Sequence, residues 1–231
     1  MCGRYSLAGP NPAQVKAQYP VLESVEIRQR YNVAPGDDVL AVTTDKAGAP
    51  RGEMLRWGLV PSWSKSAASG LKMINARSET VAERSAYRRS FQSMRCLIIA
   101  DGFYEWQRAA EGRKHAFHIT PAQRPLFAFA GLWSIWHAPD GDVLRTCTIM
   151  TTAANSAVAR LHDRMPVILP RDAESAWIDP GTPQPELFEL LDGLSASQTA
   201  VRAVGPAVND ARYDGPECLA DEVPEAQASL F

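Results

Sequence analysis

The run Cys96-Leu-Ile-Ile-Ala-Asp-Gly-Phe-Tyr-Glu-Trp106 decides the fold class, because an Asp-Gly pair joins two stretches of β-forming residues. Similar apolar and aromatic runs follow at residues 116–120, 126–133 and 146–151, with short, turn-rich gaps between them. Closely spaced strands with short connections are typical of antiparallel sheets and barrels. We therefore expect a mainly antiparallel, barrel-like β core.

The sequence around this core predicts further strands and peripheral helices. Strands are predicted at residues 39–44 and 54–60, and helices at residues 12–18, 172–178 and 186–191. A Thr80-x-x-Glu83 capping box predicts the start of one more helix. The expected fold is α+β: a single domain over residues 1–217, followed by an acidic, flexible tail over residues 218–231.

Composition narrows the class of protein. The chain has 231 residues, of which 45% are hydrophobic, enough for a large core. It contains no run of about 20 apolar residues that would cross a membrane, and its N-terminus does not resemble a signal peptide. The four cysteines form no Cys-x-x-Cys pair, which argues against a zinc site or disulfide framework. We expect a cytoplasmic monomer without a metal or cofactor.

Charge is divided unevenly along the chain, although the net charge is only −2. Residues 1–100 hold 14 Lys and Arg against 8 Asp and Glu, whereas residues 101–231 hold 10 against 18. The net charges of the two parts are therefore +6 and −8. This asymmetry permits a phosphate-binding face in the first part, but ordinary solvated surfaces produce it as well.

Cys2 directly follows the initiator methionine, and a small second residue normally allows that methionine to be removed. Removal leaves an α-amine and a thiol on one residue, with ordinary pKa values of about 8 and about 8.5. The amine can act as general base for the thiol, as in N-terminal-nucleophile hydrolases. Alternatively, both groups can add to an aldehyde and close a five-membered thiazolidine. In a third interpretation, Cys2 is an ordinary residue of a frayed terminus.

Two candidate proton-transfer residues follow. Glu105 stands among aromatic residues in a predicted strand, where burial would raise the pKa of its carboxyl group, unless strand alternation points it to solvent. His162 follows a short predicted helix over residues 156–161 and suits proton transfer near neutral pH. A histidine at a helix end is also a common capping residue, so both interpretations of His162 stay open.

Three more residues are candidates for contacting an anionic polymer. Trp63 lies in a Pro/Ser-rich loop, where it either stacks on a nucleobase or folds back onto the core. Asn75 and Arg77 precede the helix predicted at Thr80, so its positive end would attract an anion near them. The alternative is that Asn75 caps a turn and Arg77 is a surface charge.

Six blocks taken together resemble the SOS-response-associated peptidase (SRAP) family. Each block alone is a weak signal, but all six occur in the order that the family has. They are Met1-Cys-Gly-Arg-Tyr5, Arg30-Tyr-Asn-Val-Ala-Pro-Gly36, Arg56-Trp-Gly-Leu-Val-Pro61, Ile74-Asn-Ala-Arg-Ser-Glu79, Ala100-Asp-Gly-Phe-Tyr-Glu-Trp106 and Leu161-His-Asp-Arg-Met-Pro166.

The resemblance implies a protein that binds abasic sites in single-stranded DNA and traps the sugar aldehyde as a Cys2 thiazolidine, on damaged DNA at the nucleoid. It further implies that Glu105 moves protons, that His162 acts on the sugar oxygens and in reversal, and that Asn75 binds the opened sugar. It implies a DNA-binding set that consists of Arg4, Asn32, Pro35, Trp63, Arg77, Trp106, Thr151, Arg164 and Pro166.

One departure and several alternatives accompany this resemblance. Some family members have a second aromatic residue where this chain has Ser64, which affects base stacking and the preference for a junction. A thiol peptidase that uses Cys2 with His162 is one alternative, and a DNA lyase that proceeds from the imine is another. A non-covalent single-strand-binding module is the third.

Overall fold

The computed structural model describes residues 2–108 and 114–222. Its strands are β1 Tyr5–Leu7, β2 Arg30–Val33, β3 Asp38–Thr44, β4 Pro50–Trp57, β5 Asn75–Arg77, β6 Arg95–Ala100, β7 Gly102–Arg108, β8 Lys114–Pro121, β9 Phe127–His137, β10 Val143–Ala153, β11 Arg164–Pro166 and β12 Thr199–Val204. Its α-helices are α1 Pro12–Gln18, α2 Arg88–Ser93, α3 Glu174–Ile178 and α4 Gln184–Glu189.

Five strands close into a barrel in the order β10-β4-β3-β6-β9. The ring closes because β9 pairs with both β6 and β10, and the β9–β10 ladder extends from His137↔Val143 to Gly131↔Ile149. The β4–β10 pairing is parallel and the other four are antiparallel. The prediction of an α+β fold with a mainly antiparallel, barrel-like core is therefore confirmed.

A second, five-stranded sheet has the order β12-β8-β7-β1-β2 and is antiparallel throughout. Its strands alternate in the usual period of two, so Tyr5 and Phe103 face the barrel. Tyr5 packs against Trp57 of β4 and Phe129 of β9, with ring centroids 5.4 and 5.7 Å apart. The opposite faces of the barrel strands pack against residues of the helices, such as Trp177.

The helices are short, and one of them begins later than the sequence predicts. The helix expected from Thr80 is interrupted: a 3-10 turn covers Ser78–Thr80, and α2 starts only at Arg88. Backbone N–H groups of Glu83 and Arg84 both donate to the Thr80 carbonyl, so this segment forms separate turns rather than a capped helix. Residues 156–161, also predicted as helical, form turns. The helix predicted over residues 12–18 is confirmed as α1, with Asn11 as its N-cap.

Packed structure continues past the boundary predicted for the tail. Cys218 lies in the 3-10 helix Pro216–Leu219 and is buried against the outer face of the five-stranded sheet. Asp221 then forms a bridge with Val204 of β12. Residues 223–231 of the predicted tail lie outside the described residues. Within the described ranges, the structure contains no helix long and apolar enough to cross a membrane.

Candidate functional site around Cys2

Cys2 is held in place by the strand that follows it. β1 begins at Tyr5 and lies between two strands, with Tyr5 opposite Val33 of β2 and Phe103 of β7. The Cys2 side chain is fully buried, and its thiol donates to the carbonyl of Arg4 at 3.7 Å. Its own carbonyl accepts a hydrogen bond from Asn75 Nδ2 at 2.8 Å. The interpretation of Cys2 as a frayed terminal residue is therefore wrong.

A buried polar cluster, which the sequence analysis missed, anchors β1 from its other end. Asp101 accepts hydrogen bonds from the backbone N–H groups of Ala8 and Gly9 at 2.8 and 2.5 Å. It also accepts from the Ser6 hydroxyl at 2.5 Å, and that hydroxyl lies 2.9 Å from His118 Nε2. Asp101 belongs to the Asp-Gly pair that joins β6 to β7, and its position in a turn hid this role in the sequence.

Glu105 points into the protein, on the same face of β7 as Phe103. Only 4% of its surface is exposed, so of the two orientations that the sequence allowed, buried or pointing to solvent, the structure has the buried one. Burial raises the pKa of its carboxyl group to about 7, although the positive charge at the chain terminus acts in the opposite direction. Burial raises the pKa of the Cys2 thiol, and the charge of Glu105 raises it further. The two side chains are therefore electrostatic neighbours.

His162 lies at the end of the turns that cover residues 156–161, and its ring is about one-third exposed. Burial lowers its pKa, the positive charge at the chain terminus lowers it further, and Asp163 acts in the opposite direction. The ring is therefore neutral at pH 7. The Arg164 N–H donates to Nδ1 at 2.9 Å, and the Asp163 carboxylate lies 2.9 Å from the same nitrogen, so this loop fixes the orientation of the ring.

Asn75 and Arg77 share one face of β5, because side chains alternate along a strand. β5 lies parallel to β10, with Asn75 opposite Ile149 and Arg77 opposite Thr151. Among the described residues, the buried Asn75 Oδ1 has no hydrogen-bond partner and the exposed Arg77 makes no ion pair. The expectation that a helix N-terminus attracts anions here is wrong, since only a three-residue 3-10 turn follows.

Arg164 is held by neighbouring protein groups. Its guanidinium makes a two-pronged ion pair with Glu79, at 2.5 and 2.9 Å, and donates to the Thr151 carbonyl at 2.6 Å. This ion pair lowers the pKa of Glu79, chiefly through the hydrogen bond from Arg164. Thr151 and Pro166 are paired across β10 and β11, and both are buried. The Thr151–Pro166 pair therefore lies two positions along the β10–β11 ladder from Arg164, and Thr151 binds its guanidinium.

Arg4, which directly precedes β1, is held by a residue of β2 and by the segment after β12. Its guanidinium donates to Asn32 Oδ1 at 2.9 Å and to the Val208 carbonyl at 2.8 Å, and it lies over the Trp106 ring. Asn32 is only 1% exposed, and its amide nitrogen donates to the carbonyls of Asp210 and Tyr213. Asn32 thus orients Arg4 and presents no free surface of its own. Trp106 is half-buried and donates to Asn209.

The loop after β4 presents an aromatic ring to solvent. Trp63 is 63% exposed, so it does not fold back onto the core. It borders a cavity of about 280 Å³ that Arg89 and Met94 also line. Ser64 turns inward and bonds to the Ser66 carbonyl and the Ser69 hydroxyl. Pro35 is half-buried in the turn that ends at Gly36, whose φ is +96°.

The described part of the chain contains no group of three or more His, Cys, Asp and Glu side chains arranged to hold a metal ion. Its four cysteines are buried free thiols, three of which lie outside the site at positions 96, 147 and 218. The site is therefore built from the cysteine at position 2, a buried carboxyl group, an imidazole and an amide, with basic and aromatic side chains beside them.

Comparison with known proteins gives a consistent result. The profile of the "SOS response associated peptidase (SRAP)" family matches residues 1–211. The chain is 39% identical to the abasic site processing protein YoqW of Bacillus subtilis (strain 168), over 95% of this chain and 99% of that protein. It is 40% identical to YoaM, an abasic site processing protein of the same organism, over 95% and 97% of the two chains.

A solved structure supports the fold. A protein from Bacteroides thetaiotaomicron superposes with a TM-score of 0.84, covering 96% of this chain and 100% of that one, at 22% identity. At that identity the match supports the architecture alone. The match of the family profile over nearly the whole domain and the two Bacillus relatives lead to one conclusion: the chain belongs to the SOS response associated peptidase family.

Proposed function

We propose that the protein binds single-stranded DNA and forms a thiazolidine between Cys2, after removal of Met1, and the aldehyde of a ring-opened abasic site. One observation carries the proposal: Cys2 is buried and held by Asn75, next to a carboxyl group whose pKa is about 7. A residue fixed in this way can direct both an amine and a thiol at one carbon atom. The names of the Bacillus relatives support the abasic site as the substrate.

The reaction is balanced without a cofactor. The terminal amine attacks the C1′ aldehyde carbon, the carbonyl electrons move to oxygen, and loss of water gives an imine. The Cys2 sulfur then adds to the imine carbon, and the thiol proton passes to the ring nitrogen. One water leaves, and the former aldehyde carbon carries one C–N and one C–S bond.

Burial sets the order of these steps. The raised pKa of the Cys2 thiol keeps it protonated at neutral pH, so the amine is the first nucleophile. Glu105, with a pKa of about 7, is present in both protonation states. It can therefore accept a proton from the terminal ammonium and return it to the departing hydroxyl group.

Asn75 and His162 bind the opened sugar. Asn75 Oδ1 is a buried acceptor without a partner among the described residues, which suits a sugar hydroxyl donor. The neutral His162 ring, whose orientation Asp163 and Arg164 fix through Nδ1, hydrogen-bonds to a sugar oxygen. These two contacts orient the aldehyde toward Cys2, and the imidazole offers a proton for the reverse reaction.

The strand is held beside the site by charge and stacking. Arg77 is exposed on the same face as Asn75, which makes it the first candidate for a phosphate contact. Trp63 offers an exposed ring for a nucleobase. Arg4 contributes positive charge while its hydrogen bonds to Asn32 and Val208 keep it in place, and Arg164 can contact a phosphate only in competition with Glu79.

The test is intact mass spectrometry of the untagged protein before and after incubation with a single-stranded oligonucleotide that contains one abasic site. The wild type should lose Met1 and gain the oligonucleotide mass less one water, in a heat-stable adduct. Cys2→Ala and Cys2→Ser should form no stable adduct, although borohydride reduction should trap their imine. Cys96→Ala, which removes a buried thiol outside the site, should react like the wild type.

A second control retains one residue before Cys2, so that the amine and thiol no longer share a residue. This chain should bind DNA but form no heat-stable adduct. Absence of any adduct with the wild type, after verified loss of Met1, would contradict the thiazolidine. Cleavage of the oligonucleotide in place of a stable adduct would indicate a lyase, and Cys2-dependent peptide hydrolysis without an adduct would indicate a peptidase.

A further inference from the structure

The cavity beside Trp63, about 280 Å³ in volume, is lined by two hydroxyl groups for which the fold supplies no partner. They belong to Ser90 of α2 and Ser134 of β9, which are only 4% and 6% exposed. Within the described ranges, neither hydroxyl makes a hydrogen bond. Because buried polar groups are normally hydrogen-bonded, their position at a cavity indicates that a polar ligand completes them.

The other walls of the cavity combine flat apolar surface with one positive charge. Trp63 contributes an aromatic wall, and Ala86 and Met94 add aliphatic surface. Arg89 also lines the cavity, is exposed, and makes no ion pair with any residue that the structure describes. Among the described residues that line the cavity, none is acidic. These groups match a planar ring system whose edges carry hydrogen-bond acceptors.

The loop that carries Trp63 is held in place next to this ring. Trp136 Nε1 donates to the Ser64 carbonyl at 2.7 Å. The Ser64 N–H donates to the Pro61 carbonyl at 2.9 Å, which closes a turn around Trp63. A loop that is already fixed loses little conformational freedom when a ligand stacks on it. Trp63 is therefore a preorganised stacking surface.

A short chain of contacts joins the cavity to the Cys2 site. Ala86 lines the cavity, and the next residue, Tyr87, donates from its hydroxyl to the Asn75 carbonyl at 3.1 Å. Asn75 in turn donates to the Cys2 carbonyl at 2.8 Å. Two side chains thus separate the cavity from Cys2, which places it beside the abasic sugar rather than over it.

We propose that this cavity takes the nucleobase of a nucleotide next to the abasic site, and that Arg89 selects guanine there. The base stacks on Trp63, and the Arg89 guanidinium donates to guanine O6 and N7, a pair of acceptors that the other three bases do not present. The hydroxyls of Ser90 and Ser134 can donate or accept, so they bind the remaining polar groups of the base.

The size of the cavity agrees with this occupant. Sites for drug-sized ligands begin at about 300 Å³, so a cavity of about 280 Å³ suits one base rather than a whole nucleotide. This inference rests on the proposed function, because it takes single-stranded DNA as the ligand. It adds a preference for the sequence beside the lesion. The thiazolidine chemistry alone gives no such preference, since every abasic site presents the same aldehyde.

The test measures binding by fluorescence anisotropy with labelled single-stranded oligonucleotides that carry a tetrahydrofuran in place of the abasic sugar. This analogue has no aldehyde, so crosslinking does not contribute. In one series the nucleotide on its 5′ side carries guanine, adenine, cytosine, thymine or no base, and in a second series the nucleotide on its 3′ side does. In one of the two series, guanine should bind about tenfold more tightly than cytosine or thymine, which is about 1.4 kcal/mol.

Three variants identify the groups that read the base. Arg89→Ala should remove the preference, so that the four bases differ by less than about twofold. Arg88→Ala is the matched control, because Arg88 is an exposed arginine of the same helix that does not line the cavity, and it should keep the preference. Ser134→Ala should melt like the wild type, because its hydroxyl has no partner to lose in the described part of the chain. It should weaken binding of the guanine oligonucleotide about threefold.

Equal binding of every oligonucleotide in both series would overturn the proposal. So would an Arg89→Ala variant that loses the same affinity for all of them, including those without a neighbouring base, because Arg89 would then bind a phosphate. A guanine preference in a protein that forms no adduct with a true abasic site would support the cavity's role and contradict the thiazolidine alone. Absence of binding to any oligonucleotide would overturn both this inference and the DNA ligand on which it rests.

Discussion

Replacing Glu105 with glutamine should stabilise the folded protein at alkaline pH while it slows the proposed reaction. The pKa of this carboxyl group is about 7 in the folded state, against an ordinary value of 4.5. At low pH the group is protonated in both the folded and unfolded states, so it has no effect on the pH dependence of stability. As pH rises from about 4.5 through about 7, the unfolded chain ionises more readily, and the folded state loses stability.

The size of the effect follows from this difference in pKa. Each unit corresponds to about 1.4 kcal/mol, so ionisation of Glu105 costs the folded state about 3 kcal/mol above pH 7. Glutamine has nearly the same shape and no charge. In a chain of this length, 1 kcal/mol changes the melting temperature by about 2–4 °C. Glu105→Gln should therefore melt up to about 10 °C higher at pH 8, and the gain should disappear near pH 4.5.

Melting followed by circular dichroism between pH 4.5 and pH 8.5 measures this difference directly, because shifts common to both proteins cancel. Glu53→Gln is the control, and it should lower the stability of the folded protein instead of raising it. Glu53 is also mostly buried, but Arg145 binds it through two hydrogen bonds of 2.5 and 2.6 Å, and its loss should cost about 1–3 kcal/mol. A Glu105→Gln protein that is destabilised at pH 8, or that gains the same stability at every pH, would refute the reasoning.

Three further substitutions have distinct expected results. Arg77→Ala should lower the salt dependence of single-stranded DNA affinity by about 0.7 in log–log slope, whereas Arg51→Ala on the β3–β4 hairpin should not; an unchanged slope argues against a phosphate contact. Asp101→Asn should slow crosslinking, because the two hydrogen bonds that Asp101 accepts from backbone N–H groups anchor β1. An unchanged rate would show that this anchor does not control the position of Cys2. Gly102→Ala should lose about 1–3 kcal/mol, because a Cβ there would lie 2.0 Å from His118 Nε2; Gly205→Ala, with 3.8 Å of clearance, should melt like the wild type.

The β architecture was predictable because strand-forming runs and turns are local signals. The run from Cys96 to Trp106 gives β6 and β7, and the later runs give β8, β9 and β10 close to their observed bounds. Closure of the barrel was harder to predict from the sequence. It depends on the parallel pairing of β4 with β10, residues far apart in sequence, for which no local pattern exists.

The helix predicted at Thr80 shows where local signals fail. The Thr-x-x-Glu pattern is present, yet the segment after it forms turns, and the helical residues start at Arg88. A capping box contributes about 1 kcal/mol, which tertiary packing easily overrides. Tyr87, which precedes Arg88 in this segment, donates from its hydroxyl to the Asn75 carbonyl, so the segment supports the strand that carries Asn75.

The sequence indicates the residues of the candidate site, whereas their arrangement depends on the fold. Residue chemistry indicated Cys2 and Glu105, and alternation left open whether Glu105 faces solvent. The structure shows it buried, which depends on the packing of the five-stranded sheet on the barrel. Asn32 shows the reverse: its type suggests a polar surface contact, but buried carbonyls surround it and use its amide nitrogen.

The position of Cys2 depends on the run from Cys96 to Trp106. An N-terminal cysteine is useful for two-step addition only if its amine and thiol keep a fixed position, and a chain terminus lacks that property by default. Here the strand after Cys2 is inserted between two others, and Asp101 of the Asp-Gly turn holds its far end. The same turn leads directly into the strand that carries Glu105. A single β6–β7 connection therefore positions both Cys2 and the Glu105 carboxyl group.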